Sequence, residues 1–321
     1  MRCKICGNEA DNRQYEVHEM MYGCGDSFQY FQCAKCGCLQ IASIPSDLSK
    51  YYANNYYSYN KKPSSNRLKR FLQKLRDGYC VFGHGFVGWM LSRLYATDSF
   101  RFLAHLPIDR DSRILDVGCG CGRLLFSLQE LGFRNLLGVD PFLPHDIEYP
   151  NGLVIRKQGL NEVGGIWDLI MFHHSFEHIP DGHAALRHVH TLLDSGGICI
   201  IRVPTVSSYA WEHYGVNWVQ LDAPRHLWLH SIQSMEMMAK ETNFALSVVV
   251  YDSGAMQFWG SEQYVKGIPL CDERSYAVDR KKSEFSRRQI RQFERRAAEL
   301  NTIRRGDQVA FYLRKVQSPR C

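Results

Sequence analysis

The 321-residue chain is 45% hydrophobic and 12% aromatic, enough to bury the core of one large domain with a small module beside it. A formal net charge of +6 is modest for this length and does not by itself mark a nucleic-acid binder. No apolar stretch approaches the length of a transmembrane segment, and Met1-Arg2-Cys3-Lys4 opens no apolar signal region. The twelve cysteines are therefore expected to be reduced and the protein cytoplasmic.

The chain begins with two knuckles, Cys3-x-x-Cys6-Gly7 and Cys33-x-x-Cys36-Gly37. Each places two thiolates on one side of a tight turn, and four thiolates in two pairs suit tetrahedral zinc. Cys3, Cys6, Cys33 and Cys36 are the expected ligands of a structural Zn2+. With four protein ligands no coordination position stays open. Cys24 and Cys38 belong to no pair and read as bystanders. The gap between the pairs leaves room for a hairpin over Phe28–Gln32. Residues 1–44 are thus expected to form a zinc-ribbon-like module.

Residues 45–106 read as a connector followed by a helical lid. The run Tyr51-Tyr52-Ala53-Asn54-Asn55-Tyr56-Tyr57-Ser58-Tyr59 suits either the mouth of a substrate site or a packed linker. Beyond it the pattern is helical, interrupted by Gly78, Gly83, Gly85 and Gly88. Phe82 to Tyr95 fits a buried helix or one that touches a lipid surface.

From Arg113 the chain alternates strand and helix, the pattern of a doubly wound parallel sheet. Ile114-Leu115-Asp116-Val117-Gly118-Cys119-Gly120-Cys121-Gly122 reads as a buried strand, a glycine turn and a helix start. Glycines there let backbone amides approach a nucleotide with no Cβ in the way. The third glycine comes one residue too early for the dinucleotide fingerprint. Asp116 would repel a pyrophosphate but favour an ammonium group. Asn135–Asp140 reads as a second strand ending in a carboxylate. It falls roughly twenty residues after Gly118, where an acidic side chain reaches ribose hydroxyls. Trp167–Phe172 reads as another strand, and Gly196–Pro204 as a glycine turn with the next. Ala245–Val250 and Gln308–Leu313 read as the last two strands, with an amphipathic helix over 284–301 between them.

This ordered set resembles the motifs of class I S-adenosylmethionine-dependent methyltransferases, over roughly residues 98–255. The resemblance implies an α/β, Rossmann-like seven-stranded sheet over 107–321, with its last strand antiparallel at one edge. It implies S-adenosyl-L-methionine as cofactor. Asp116, Gly118, Cys119, Gly120, Asp140, Pro141, Gln158, Gly159, Leu160 and His173 are the expected cofactor contacts.

Methyl transfer from a sulfonium asks for alignment, exclusion of water and removal of a proton. His173-His174-Ser175-Phe176-Glu177-His178 follows the fourth strand, at the carboxyl edge where such sheets bind ligands. Glu177 and His178 form the Glu-His pair of many relatives, where it caps a loop, binds metal or assists proton transfer. A long insertion at about 205–230 carries Tyr209, Trp211, His213, Tyr214, Trp218, Asp222, Arg225 and His226. Aromatic rings with a carboxylate and an arginine suit a sugar. Its Trp218–Leu227 stretch resembles a segment of bacterial methyltransferases with an N-terminal cysteine module, some of which act on sugars or glycan precursors. Related sugar C-methyltransferases carry a further C-terminal domain, so an oxygen or nitrogen nucleophile is expected here. His178, His226 and Glu177 are the expected catalytic residues. The expected activity is O-methylation of a sugar, nucleotide-sugar or related small metabolite. Two alternatives stand beside it, an RNA or tRNA methyltransferase and a non-catalytic S-adenosylmethionine-binding protein. The basic residues of the 284–301 helix are interleaved with Glu284, Glu294 and Glu299, which fits a solvated face better than a nucleic-acid surface.

Overall fold

The computed structural model describes residues 1–52, 66–94, 98–104 and 106–316. Of the tyrosine-rich run, Tyr51 and Tyr52 fall within it. Tyr56, Tyr57, Tyr59 and, further on, Tyr95 lie outside the described residues.

Three strands, β1 (Arg13–His18), β2 (Ser27–Gln32) and β3 (Leu39–Ile41), form an antiparallel meander between and after the cysteine pairs. The expected hairpin over 28–32 is β2 paired with β1. Two helices follow, α1 (Arg67–Phe82) and α2 (Phe86–Leu94). Asn66 caps the first by accepting the Lys69 amide at 3.0 Å. Gly83 and Gly85 separate the two helices, whereas Gly78 and Gly88 lie inside them. Val81 and Leu91 are buried, but Phe86, Val87, Trp89, Met90 and Leu94 of α2 all face solvent. The apolar run of α2 is therefore not a buried helix.

The main sheet starts with β4 (Arg113–Val117), whose Ile114 and Leu115 have no exposed surface. Then come α3 (Arg123–Leu131), β5 (Asn135–Val139), β6 (Ile147–Glu148), β7 (Val154–Arg156) and β8 (Trp167–His173). Leu125, Leu128 and Leu131, at helical spacing, turn the helix's inner face to the core. Next are α4 (Gly182–Leu192), capped by Asp181, and β9 (Leu193–Pro204). The insertion holds α5 (Tyr209–Tyr214) and β10 (Trp228–Leu229). The chain continues through α6 (Ile232–Glu241), β11 (Phe244–Tyr251), α7 (Met256–Val265), α8 (Arg287–Thr302) and β12 (Gln308–Lys315). Ser286 and Gln289 cap α8 reciprocally, and its Ile290, Ala297 and Leu300 are buried as the periodicity required.

The main sheet runs β11-β12-β9-β8-β4-β5-β7-β6, with β9, β8, β4, β5 and β7 mutually parallel. It has eight strands, not the expected seven. The extra one is β6, two residues folded back antiparallel on β7, an element too short to leave a periodic signal. Asp146 fixes the fold-back by accepting from the Arg156 guanidinium and the Lys157 amide, both at 2.7 Å. The last strand is antiparallel as expected, but it lies one place inside the edge, between β9 and β11. Its first six residues are all buried, as an interior strand requires.

The second sheet, β1-β2-β3-β10, joins the N-terminal strands to the insertion. Trp228 pairs with Gln40 and Leu229 with Leu39. The Tyr30 hydroxyl donates to the His226 carbonyl at 2.8 Å, and the Ile41 amide to the Leu227 carbonyl at 3.1 Å. Ser231 donates to the carbonyl of Cys36. The cysteine module is thus built into the wall that carries His226.

Candidate functional site

The carboxyl ends of β4, β5 and β8 open into a cavity of about 420 Å³, within the size range of small-molecule sites. Gly118 stands at its base with φ +70°, and a Cβ there would lie 2.4 Å from the Ser175 Cβ. That close approach is what a glycine allows and any other residue blocks. Ser175 fastens the same corner by donating to the Val117 carbonyl at 2.5 Å. Asp140 accepts the Gly120 amide and the Phe142 amide, each at 2.9 Å, and so holds the glycine turn and its own loop together. Burial raises its carboxyl above the usual value, against the pull of those two amides.

Of the expected cofactor contacts, Gly118, Asp140, Pro141 and Leu160 line the cavity. Cys119, Gly120, Gln158 and Gly159 do not form its lining. Asp116 is buried, and its Oδ1 has no hydrogen-bond partner. Burial, with Asp140 adding to it, pushes that carboxyl well above the ordinary range. A cationic group would satisfy it. His173 also stands away from the cavity. It shares a strand face with Leu169 and Met171 and packs on Phe102 at 5.2 Å between rings. The next residue, His174, lines the cavity instead, with φ 56°. Tyr52, Phe142 and Asn161 line it too, and no motif pointed to them. Tyr52 and Phe142 stack with centroids 6.3 Å apart and planes 12° from parallel.

Glu177, His178 and His226 come together, although the insertion separates the last from the others. Glu177 has no exposed surface, and neither carboxylate oxygen has a hydrogen-bond partner. Its Oε1 lies 3.6 Å from His174 Nδ1 and 3.8 Å from His226 Nε2. Burial alone would raise this carboxyl, but His174 and the other two imidazoles outweigh it and hold the group at about 2. Burial, then His226, push the His178 imidazole below its ordinary value, against the Glu177 charge.

The tautomers follow from the partners. His178 Nδ1 is 2.8 Å from the Arg225 carbonyl, which only accepts, so Nδ1 carries the proton and Nε2 the lone pair. His226 Nδ1 is 2.7 Å from the Gln220 carbonyl, with the same consequence. Arg202 donates to His174 Nε2 at 2.7 Å, which leaves the His174 proton on Nδ1, turned to Glu177. Two basic nitrogens thus flank one buried carboxylate.

The other insertion residues are structural. Trp218 is fully buried and donates to Asp307 at 3.0 Å; Trp211 is buried against it. Arg225 has no exposed surface and bonds Asp222, the Tyr51 carbonyl and Glu19. A cis Ala223–Pro224 bond lies between Asp222 and Arg225. Tyr209 stacks on His213, and Tyr214 bonds Glu262. None of these side chains lines the cavity.

The four knuckle cysteines converge at the other end of the wall. Cys3 Sγ lies 3.6 Å from Cys36 Sγ, and Cys6 Sγ 3.5 Å from Cys33 Sγ. Gly7 and Gly37 donate to the Cys3 and Cys33 carbonyls, closing the two knuckles alike. Four sulfurs at the Zn–S bond length stand about 3.8 Å apart around a tetrahedral ion, so the spacing fits zinc. Gln40 donates to Cys3 Sγ at 3.1 Å, a supporting bond of the sort that orients metal ligands. Cys38 is buried nearby but belongs to no ligand group among the described residues.

Residues 91–248 match the family model described as a methyltransferase domain. No curated protein matches the chain. Among solved structures, the cyclopropane synthase MmaA2 from Mycobacterium tuberculosis is similar, with TM-score 0.41 and 17% identity over 65% of this chain and 80% of that one. The mycolic acid cyclopropane synthase CmaA1, complexed with SAH, aligns with TM-score 0.45 and 18% identity over 70% and 85%. An S-adenosylmethionine-dependent methyltransferase from Mesorhizobium loti aligns with TM-score 0.44 and 16% identity over 69% and 100%. The domain match gives residues 91–248 as a methyltransferase domain, and the strand order and the glycine turn after β4 are those of the class I S-adenosylmethionine-dependent fold.

Proposed function

We propose that this methyltransferase acts on a hydroxyl of a sugar, nucleotide-sugar or related small metabolite. The observation that carries the reading is the convergence of Glu177, His178 and His226 beside the cavity that Gly118 and Asp140 line. A neutral hydroxyl has a high pKa, so its attack on a methyl group gains from a base. His178 Nε2, with its lone pair free and its ring held by the Arg225 carbonyl, can take that proton. Glu177 then steadies the imidazolium, and His226 packs on the His178 ring from behind the cavity lining, with centroids 4.9 Å apart. Asn161, Asp181 and Ser175, also on the cavity wall, suit an acceptor rich in hydroxyls, and Tyr52 and Phe142 offer ring faces.

S-adenosylmethionine, when bound, supplies a methyl group already activated on sulfur. The unpartnered Oδ1 of Asp116, the bare backbone at Gly118 and the carboxylate of Asp140 fit its ammonium, its close approach and its ribose. Cys3, Cys6, Cys33 and Cys36 would hold a structural zinc, which would organise the second sheet, where Tyr30 bonds the His226 carbonyl.

Loss of His178 or His226 tests the reading. With methyl-labelled cofactor and an extract of the source cells, His178→Ala and His226→Ala should transfer far less label to small molecules than wild type. Cofactor affinity should change little. Near wild-type transfer by both variants would overturn this assignment of the base.

A further inference from the structure

We propose that Glu177, His178 and His226 form a second metal site, one that holds a divalent cation beside the cavity. The inference rests on the proposed function for its role but not for its existence. Three observations carry it.

The first is a buried charge that only imidazoles face, the nearest being His174 Nδ1 at 3.6 Å, beyond hydrogen-bond distance. Glu177 is fully buried, and both its oxygens lack a hydrogen-bond partner. A buried anion in that state is strongly unfavourable unless a positive charge meets it. The Arg225 guanidinium cannot do so, because it is committed to Asp222 and Glu19. The second is geometric. One nitrogen from each imidazole and one Glu177 oxygen lie within 4.8 Å of one another. Around a small divalent ion such atoms stand roughly 3.3 Å apart, so an inward shift of about an ångström closes the site. The third is the tautomers. Both histidines donate Nδ1–H to backbone carbonyls, Arg225 for His178 and Gln220 for His226. This is how metal-ligating histidines are usually steadied, and it leaves Nε2 free on both rings. Behind them, His174 turns its Nδ1–H toward Glu177, and Arg202, paired with Asp252 at 2.6 Å, holds His174.

Two nitrogens and one oxygen make a site unlike the four-thiolate cluster. Three protein ligands leave positions open, and His178 brings the site to the cavity wall. A cation there lowers the pKa of a bound hydroxyl, so the acceptor can shed its proton to water while its oxygen stays on the metal. With the cation in place His178 serves as a ligand; without it His178 takes the proton itself.

Cobalt(II) separates the two sites, because thiolate ligation gives an intense charge-transfer band that nitrogen and oxygen ligands lack. Metal-stripped full-length protein, dialysed against Co2+, should bind two equivalents per chain. Glu177→Gln and His226→Gln should each bind one, with the thiolate band intact, which also shows that the variants fold. Cys33→Ser should lose the band and keep the other equivalent. One equivalent in wild type, or two in Glu177→Gln, overturns the second site. If the second equivalent is absent while label transfer still depends on His178, the cation site falls and the proposed function stands. If it binds and no hydroxyl is methylated, the proposed function falls and the site stands.

Discussion

Glu19 and Arg225 lie 206 residues apart and form an ion pair of 2.7 Å with neither side chain exposed. The Glu19 carboxylate also accepts the amides of Met21, Tyr22, Gly23 and Cys24. One residue thus shapes the turn before β2 and anchors the insertion at the position next to Pro224. The carbonyl of the same Arg225 fixes the His178 ring. The cysteine module and the candidate catalytic cluster share one buried joint.

Removing one side of that joint leaves the other charge buried. Glu19→Ala should cost about 3–5 kcal/mol of stability, since it strands part of the Arg225 charge and frees the turn amides. Chemical denaturation of full-length protein checks this. A loss below about 1 kcal/mol would mean that Asp222 alone satisfies Arg225.

The cysteine cluster makes a second expectation. Native protein prepared without chelators should carry thiolate-bound zinc, and Cys33→Ser should lose one metal equivalent. Hydrogen exchange should then rise in β1–β3 and β10 before it rises in the main sheet. Uniform protection in the variant would contradict the structural role.

Much of this was legible in the sequence. Period-3.6 and buried-run patterns placed α3, α8, β4, β5, β8 and β12, because each buries enough apolar surface to leave its mark. The cysteine knuckles were readable because their chemistry fixes residue type and spacing. The two-residue β6 and β10 were not, since tertiary pairing rather than local pattern makes them strands. In the site, the Glu177–His178 pair was visible as a motif, whereas its meeting with His226 depends on the Arg225 joint, which no local signal encodes. Trp211 and Trp218, expected among rings that suit a sugar, are buried and serve packing instead. Strand parity separates His173 from His174: the former shares the face of Leu169 and Met171.

The cofactor assignment turns on Asp140. Two of its acceptor directions go to the Gly120 and Phe142 amides, which leaves others for a ribose. Asp140→Ala should weaken S-adenosylmethionine binding by roughly 1–3 kcal/mol in calorimetry. Unchanged affinity would contradict the assignment.

A buried histidine makes stability depend on pH. Burial, partly opposed by Glu177, lowers the His230 imidazole from 6.5 to about 4. Its folded pKa lies below its unfolded one, so below pH 6.5 the unfolded chain takes up a proton that the folded chain refuses. The stability associated with neutral His230 is therefore complete above about 6.5 and lost as pH falls toward 4, by about 3 kcal/mol in all. His230→Asn should remove this component. Denaturation at pH 7 and pH 4.5 should show wild type losing more stability than the variant. Equal losses would contradict the linkage.

The proposed methyl transfer to a hydroxyl of a small carbohydrate-related acceptor is tested by mass spectrometry of a source-cell extract incubated with the protein and methyl-labelled S-adenosylmethionine. Label is expected on the hydroxyl oxygen of a sugar-containing small molecule, lost with Asp140→Ala and with His178→Ala. Label confined to RNA, or no labelled product from protein that binds the cofactor, would contradict it.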